Sequence, residues 1–279
     1  MHGSPQPPDR ALHLDHVTVR RDGVVILDDA GWTVEAGQRW IVLGPNGSGK
    51  TTLLRVAGLY LHPTSGTVEV LGHLLGRTDV RRLRPRIGYV SAALADMLRP
   101  GVPAVDVVMA GRDAALETWW QPYGDEDRAH ALELLDRLGI AEVADRPFGA
   151  LSSGERQRTL LARSLWGTTT GLVLLDEPMA GLDLGAREDL VSRLAELADR
   201  PDTPPTVLVT HHVEEIPAGF THALLLRAGR VVAAGPILDV LDSDSLSDAF
   251  GLPLVLERCG GRYTARARRA GHPPATTRP

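Results

Sequence analysis

The apolar positions change rhythm along the chain, and each rhythm predicts an element. In LHLDHVTVRR (12–21) and VVILDDAGWTVEAG (24–37) they alternate or cluster in short runs around the turn signal RDG, which predicts an antiparallel hairpin. RWIVLG (39–44) is a buried strand running into a glycine-rich turn. KTTLLRVAGLYL (50–61) has helical spacing and is broken by PTSG, after which TVEVLG (67–72) and IGYV (87–90) return to strand. From about Ala93 the period lengthens: AVDVVMAGR, EDRAHALELLDRLGI and GERQRTLLARSLW place apolar residues at i, i+3 and i+4 with charges between them, so this middle is helical. LVLLDEP (172–178) is a strand, REDLVSRLAELADR (187–200) an amphipathic helix, TVLVTHH (206–212) a strand and ALLLRAGRVVAAG (223–235) a terminal hairpin. Strands alternating with helices imply an α/β fold: a mostly parallel sheet, an antiparallel N-terminal β subdomain and an inserted helical subdomain at about 93–167.

Composition narrows the class. With 279 residues, 43% of them hydrophobic, the chain buries a sizeable core, and a net charge of −5 with dispersed basic residues argues against nucleic acid as the main ligand. The Pro-rich lead, residues 1–11, carries no apolar segment of the secretory type. No stretch approaches the roughly 20 apolar residues that cross a bilayer, so any spanning at a membrane falls to another chain. One cysteine, Cys259, permits no internal disulfide, which fits a reducing compartment. The main domain is expected over 12–256, and the arginine-rich text over 257–279 reads as a mobile tail, with a nucleic-acid or lipid-headgroup contact as the lesser reading. Trp119 and Trp120, beside Pro122 and Tyr123, suit either a docking surface or the helical subdomain's own core.

The chemistry starts at GPNGSGKTT, which matches G-x-x-x-x-G-K-[ST] between a strand and a helix. Gly44, Pro45, Asn46, Gly47, Ser48 and Gly49 form a loop whose backbone N–H groups can converge on phosphate oxygens, at the positive end of a helix opened by Lys50, Thr51 and Thr52. Lys50 is expected to reach the β- and γ-phosphates of ATP, and the Thr51 hydroxyl to ligate Mg²⁺. In LVLLDEP, four apolar residues put Asp176 at the end of a buried strand, where a carboxylate is costly unless it serves a cation. Glu177 follows, placed to deprotonate an attacking water. Alone, Asp-Glu-Pro could merely end a strand; the phosphate loop favours the catalytic reading.

These motifs resemble those of the ATP-binding-cassette ATPases, and the resemblance runs from about Leu12 to Val255. LSSGERQR (151–158) is similar to that family's signature loop, AGLD (180–183) to the loop that meets a partner subunit, and VTHH to the strand end carrying its switch histidine. The resemblance implies two ATPs sandwiched in a head-to-tail dimer of two such subunits, here a homodimer, with Ser152, Ser153, Gly154 and Glu155 facing the partner's γ-phosphate and Asp183 in the partner-facing loop. Read alone, the Ser/Gly loop before a helix is equally an ordinary N-cap. Among VTHHVEEIPAGFTH, a metal site would need converging ligands, and exposed polar surface is the plain alternative. The resemblance makes His211 the γ-phosphate sensor that holds Glu177, leaving His212 and His222 structural or exposed.

The text departs from the family at three places. Ser91 and Ala92 follow IGYV where a Pro-Gln is usual, so the glutamine that reaches Mg²⁺ and lies beside the membrane-subunit interface is missing. Arg21 falls where an aromatic ring stacks on adenine; a guanidinium can stack too, or simply lie exposed. Ser153 and Glu155 replace a glycine and a glutamine, while Gly154 is kept. Short strings resemble the cassettes of molybdate-type and iron-chelate-type importers. The expected function is therefore an ATP-hydrolysing subunit, cytoplasmic and peripheral on the membrane, energising a separate membrane-spanning permease, more in keeping with an importer. The alternative is a soluble cassette acting on nucleic acid, the ribosome or a protein, which the missing glutamine would favour.

Overall fold

The structure, a computed structural model, describes residues 10–118, 122–166 and 170–268. Strands β1 (Arg10–Arg21) and β2 (Val24–Glu35) form the predicted hairpin, and at its tip Asp22 and Gly23 take φ of 51° and 80°. Two left-handed residues are what a two-residue turn needs to match strand twist. β3 (Arg39–Leu43) enters the glycine loop and α1 (Lys50–Ala57) leaves it. β4 (Ser65–Val70), β5 (His73–Leu74), α2 (Val80–Leu83) and β6 (Ile87–Val90) follow. The helical insertion contains α3 (Ala92–Met97), α4 (Ala104–Met109), α5 (Asp125–Arg137) and α6 (Ser153–Ser164). The chain returns through β7 (Leu172–Asp176), α7 (Leu184–Ala198), β8 (Thr206–Thr210), β9 (His222–Arg227) and β10 (Arg230–Pro236). Helices α8 (Ile237–Val240) and α9 (Ser243–Phe250) lead into a hairpin of β11 (Leu254–Cys259) and β12 (Arg262–Ala267).

An antiparallel sheet of order β2-β1-β4-β5 lies against a sheet of order β10-β9-β3-β8-β7-β6, parallel except at β10. Because neighbouring strand residues point to opposite faces, each buried strand feeds two cores. Val173 and Leu175 of β7 join the cluster shared with the helical insertion, whereas Leu172 and Leu174 join the one under α1 and the antiparallel sheet. That double burial explains why these strands read as unbroken apolar runs.

Four expectations change. The helical spacing of 50–61 stops at Ala57: Gly58 caps α1, and Leu59, at φ 62°, turns the chain away. The lead gives way to strand already at Arg10. The segment read as a mobile tail from 257 is ordered through Ala267 as the β11–β12 hairpin, and 223–235 is a hairpin without being the last element. Its basic surface residues hid a short alternation that buries Tyr263 and packs Leu254, Leu256 and Ala265 on the core. Gly260-Gly261, with φ of 56° and 80°, is the turn signal that marks it. Trp119 and Trp120 lie outside the described residues.

Candidate functional site

The phosphate loop is wedged between two strands. A Cβ at Gly44 would lie 2.2 Å from the Leu226 carbonyl oxygen of β9, and one at Gly49, whose φ is 104°, would lie 2.9 Å from the Ile26 carbonyl oxygen of β2. Glycine is therefore required at both positions by close approach, and at Gly49 also by conformation. Asn46 and Gly47 are exposed at the tip; Pro45 accepts a bond from the Ser48 amide at 3.1 Å. Lys50, only 5% exposed, donates through Nζ to the carbonyls of Gly44 (2.8 Å) and Pro45 (3.1 Å) and stands 3.7 Å from Glu177 Oε1. Burial lowers its pKa, opposed by the charges of Glu177 and Asp176. Thr52, on the same first turn of α1, is half-buried.

Three loops bring the remaining groups to this point. Thr51 donates to Asp176 Oδ1 at 3.2 Å, across from the end of β7. Asp176 is 9% exposed, and burial raises its pKa while the Thr51 bond opposes the shift. A nearly buried carboxylate whose side-chain oxygens meet one hydroxyl suits a hard cation that prefers oxygen ligands, so this donor pair fits Mg²⁺. Glu177 sits in the left-handed region at φ 48°, an uncommon place for a residue with a Cβ. Its Oε1 lies 3.2 Å from His211 Nδ1 at the end of β8, the strand next to β7. His212 is exposed, its ring centroid 4.0 Å from that of His211, and the ring of His222 stacks on Trp40.

The loops around Ser152 and Asp183 are local structures. Ser152 caps α6: its hydroxyl accepts from the Glu155 amide (3.3 Å) while Glu155 Oε2 accepts from the Ser152 amide (2.7 Å). This reciprocal pair is a capping box, and the Ser152 amide holds the Glu155 carboxyl below the usual range. Ser153 is exposed. A Cβ at Gly154 would meet that of Ala186 on α7 at 3.0 Å, so the helices touch there. Asp183 caps α7 by accepting from the Ala186 amide at 2.8 Å.

The departures have local explanations. Ser91 caps α3, accepting from the Leu94 amide at 3.2 Å, so β6 passes directly into a helix and exposed Ala92 is its first residue. Arg21 is exposed, 4.0 Å from Asp22, at the rim of a cleft of about 610 Å³ lined by Tyr60, Leu61, Tyr89, Ala93, Leu94 and Met97. Sequence reasoning missed this cleft, whose walls come from three separate stretches. It also missed Glu215, 5% exposed, which accepts from the Thr210 hydroxyl next to His211. The threonine and glutamate are legible; their pairing requires the turn at Val213–Glu215 to fold back.

Residues 27–180 match the family described as ABC transporter. The uncharacterised ABC transporter ATP-binding protein YlmA of Bacillus subtilis is 42% identical over 244 residues, 87% of this chain and 92% of that one. The hemin import ATP-binding protein HmuV of Rhodococcus jostii is 35% identical over 90% of this chain and 85% of its own length. Among solved structures, a transporter described as of metal-chelate type, in an inward-facing conformation, superposes with a TM-score of 0.71 at 27% identity, covering 92% of this chain and 96% of that one. The dimeric post-hydrolysis state of an ATP-binding cassette bound to ADP and Pi superposes with a TM-score of 0.68 at 25% identity, over 81% and 98%. A phosphate loop, paired carboxylates and a histidine held by adjacent parallel strands thus coincide with family-wide likeness over most of the chain, and the chain belongs to the ABC transporter family as one of its ATP-hydrolysing, ATP-binding subunits.

Proposed function

We propose that this ATPase energises an importer, working as a dimer on the cytoplasmic face of a membrane beside a separate permease. The observation that carries the catalytic part is the convergence of Lys50, Glu177 and His211 on one point between β3, β7 and β8. The loop from Gly44 to Thr52 binds the phosphates of ATP, and Lys50 leaves its own carbonyls to take the β- and γ-oxygens. Glu177 orients and deprotonates the attacking water; His211 holds Glu177 and contacts the γ-phosphate. Thr51 and Asp176 would hold Mg²⁺, which neutralises charge developing on the phosphates.

Ser152, Ser153, Gly154, Glu155 and Asp183 face a second copy, whose nucleotide the start of α6 meets with its positive end. Arg21 stays at the rim where an adenine could lie against its guanidinium. The transport reading is supported by relatives named as import or transport subunits, including the hemin protein above and a manganese-system protein of Halalkalibacterium halodurans, 35% identical over 240 residues. Their cargoes differ, and a phosphonates import protein of Ruegeria sp. is 36% identical over 230 residues, so these names support import without fixing one substrate class. No helix among the described residues is long and apolar enough to cross a membrane. The cleft beside Ala93 and Leu94, with Tyr60 and Met97 on its exposed rim, is the place where a helical segment of the permease would seat.

The test is capture of membrane partners by tagged Glu177→Gln from detergent-solubilised cells with MgATP, alongside the same protein carrying Met97→Glu. One multi-spanning protein recovered near stoichiometry, and lost with Met97→Glu, is the expected result. Recovery of soluble partners or of a bare dimer would refute the transport reading.

A further inference from the structure

The β11–β12 hairpin is tied to two elements of the catalytic machinery by one residue. Arg262 donates from Nη1 to Glu188 Oε2 (2.8 Å) and from Nη2 to Glu188 Oε1 (3.2 Å), a two-pronged pairing with α7. The same Nη2 donates to the Glu214 carbonyl at 2.7 Å, in the turn that follows His211 and His212. A second strut lies alongside: the Ala265 amide donates to Glu214 Oε1 at 3.2 Å. Tyr263, 5% exposed, anchors the hairpin in the core between these contacts.

Glu188 lies on the second turn of α7, the helix that Asp183 caps and that receives Gly154 of the signature helix. Glu214 lies three residues beyond His211. Arg262 therefore bridges the helix that orders the partner-facing loop to the turn that aims the histidine. Its side chain is 35% exposed and that of Glu188 43%, so solvent screens the Coulombic attraction and leaves little of it as stability. The planar fork and the carbonyl bond fix direction instead, a task for which arginine is pre-organised and lysine is not.

We infer that Arg262 is a positioning residue for ATP hydrolysis, acting through the Glu214 turn on His211. The inference rests on the reading of His211 as the residue that holds Glu177 and contacts the γ-phosphate. It gives the C-terminal hairpin a catalytic purpose: the hairpin sets the height of the histidine at the end of β8 relative to α7.

The experiment is steady-state ATP hydrolysis by the full chain with Arg262→Ala, Arg262→Lys and Glu188→Gln, each also placed on His211→Ala. Arg262→Ala is expected to lower kcat about tenfold, within the ~10²-fold that an ångström of misplacement can cost, and to leave KM for ATP unchanged. Arg262→Lys should recover part of the loss. Glu188→Gln, which keeps the side chain's shape, should show a smaller loss and serves if Arg262→Ala folds poorly. On His211→Ala, none of the three should lower the rate further, since their effect passes through the histidine. A normal kcat in folded Arg262→Ala and Glu188→Gln, or an equal further loss on His211→Ala, overturns the inference. A normal rate for His211→Ala alone would instead overturn the histidine's role, so the two failures are distinct.

Discussion

His211 Nδ1 stands 3.2 Å from Glu177 Oε1, and the two residues come from the ends of adjacent parallel strands. The same carboxylate oxygen is 3.7 Å from Lys50 Nζ, so Glu177, His211 and Lys50 share one contact point. Glu177→Gln keeps the shape of this cluster and removes the proposed base. Turnover should fall at least about 10²-fold while MgATP still binds, as read by single-turnover hydrolysis beside an equilibrium titration. An unchanged rate would remove Glu177 from the role of base.

Asp176 gives a test of stability against function. Burial raises its pKa, so the folded protein holds this proton more tightly than the unfolded chain does. Stability is therefore lost as pH rises through the interval between the ordinary carboxylate value and the raised one. Without nucleotide, Asp176→Asn should raise the thermal midpoint at neutral pH, with an advantage that shrinks as the solution is acidified. Hydrolysis should fall in the same variant. A lower midpoint at neutral pH, measured by calorimetry across a pH series, would contradict the burial argument.

Gly154 tests the contact between the signature helix and α7. A methyl group there meets the Ala186 Cβ at 3.0 Å, and both are β-carbons fixed by their helices with no rotamer to relieve the contact, so α6 and α7 must part slightly. Overpacking of this kind costs about 1–3 kcal/mol, against a gain of at most about 1 kcal/mol in helix propensity from replacing glycine. Gly154→Ala should thus destabilise by about 1 kcal/mol, the difference between those terms. On Ala186→Gly, which removes the opposing methyl, the same change should become neutral or stabilising. Urea unfolding of the four proteins checks the sign reversal.

Lys50, Thr51, Asp176 and Glu177 were legible because each is set by a local rule: a strand, a glycine turn, a helix start, or a carboxylate at the end of an apolar run. Their meeting depends on β3, β8 and β7 lying side by side, which the alternation of strands and helices implies only in outline. The place of His211 came from resemblance, since the string of histidines and glutamates also admits a reading as exposed polar surface. The missing glutamine was legible at Ala92, whereas Ser91 was not legible as the cap of α3, because capping depends on where the helix begins. Arg262 with Glu188, and Thr210 with Glu215, escaped altogether. Such pairs join segments through folded turns, and no periodicity records them. The C-terminal hairpin escaped for a compositional reason: arginines on its outer face outweighed Tyr263 within.

The wedging of the phosphate loop sets the smallest piece of this chain that can work. Its glycines are pressed on one side by the Ile26 carbonyl and on the other by the Leu226 carbonyl. The family match at 27–180 contains the whole loop and both carboxylates, yet one wall of the loop lies just before it and the other well after it. A fragment cut to those bounds would spell every letter of the nucleotide motif and still lack the mould that gives the loop its shape.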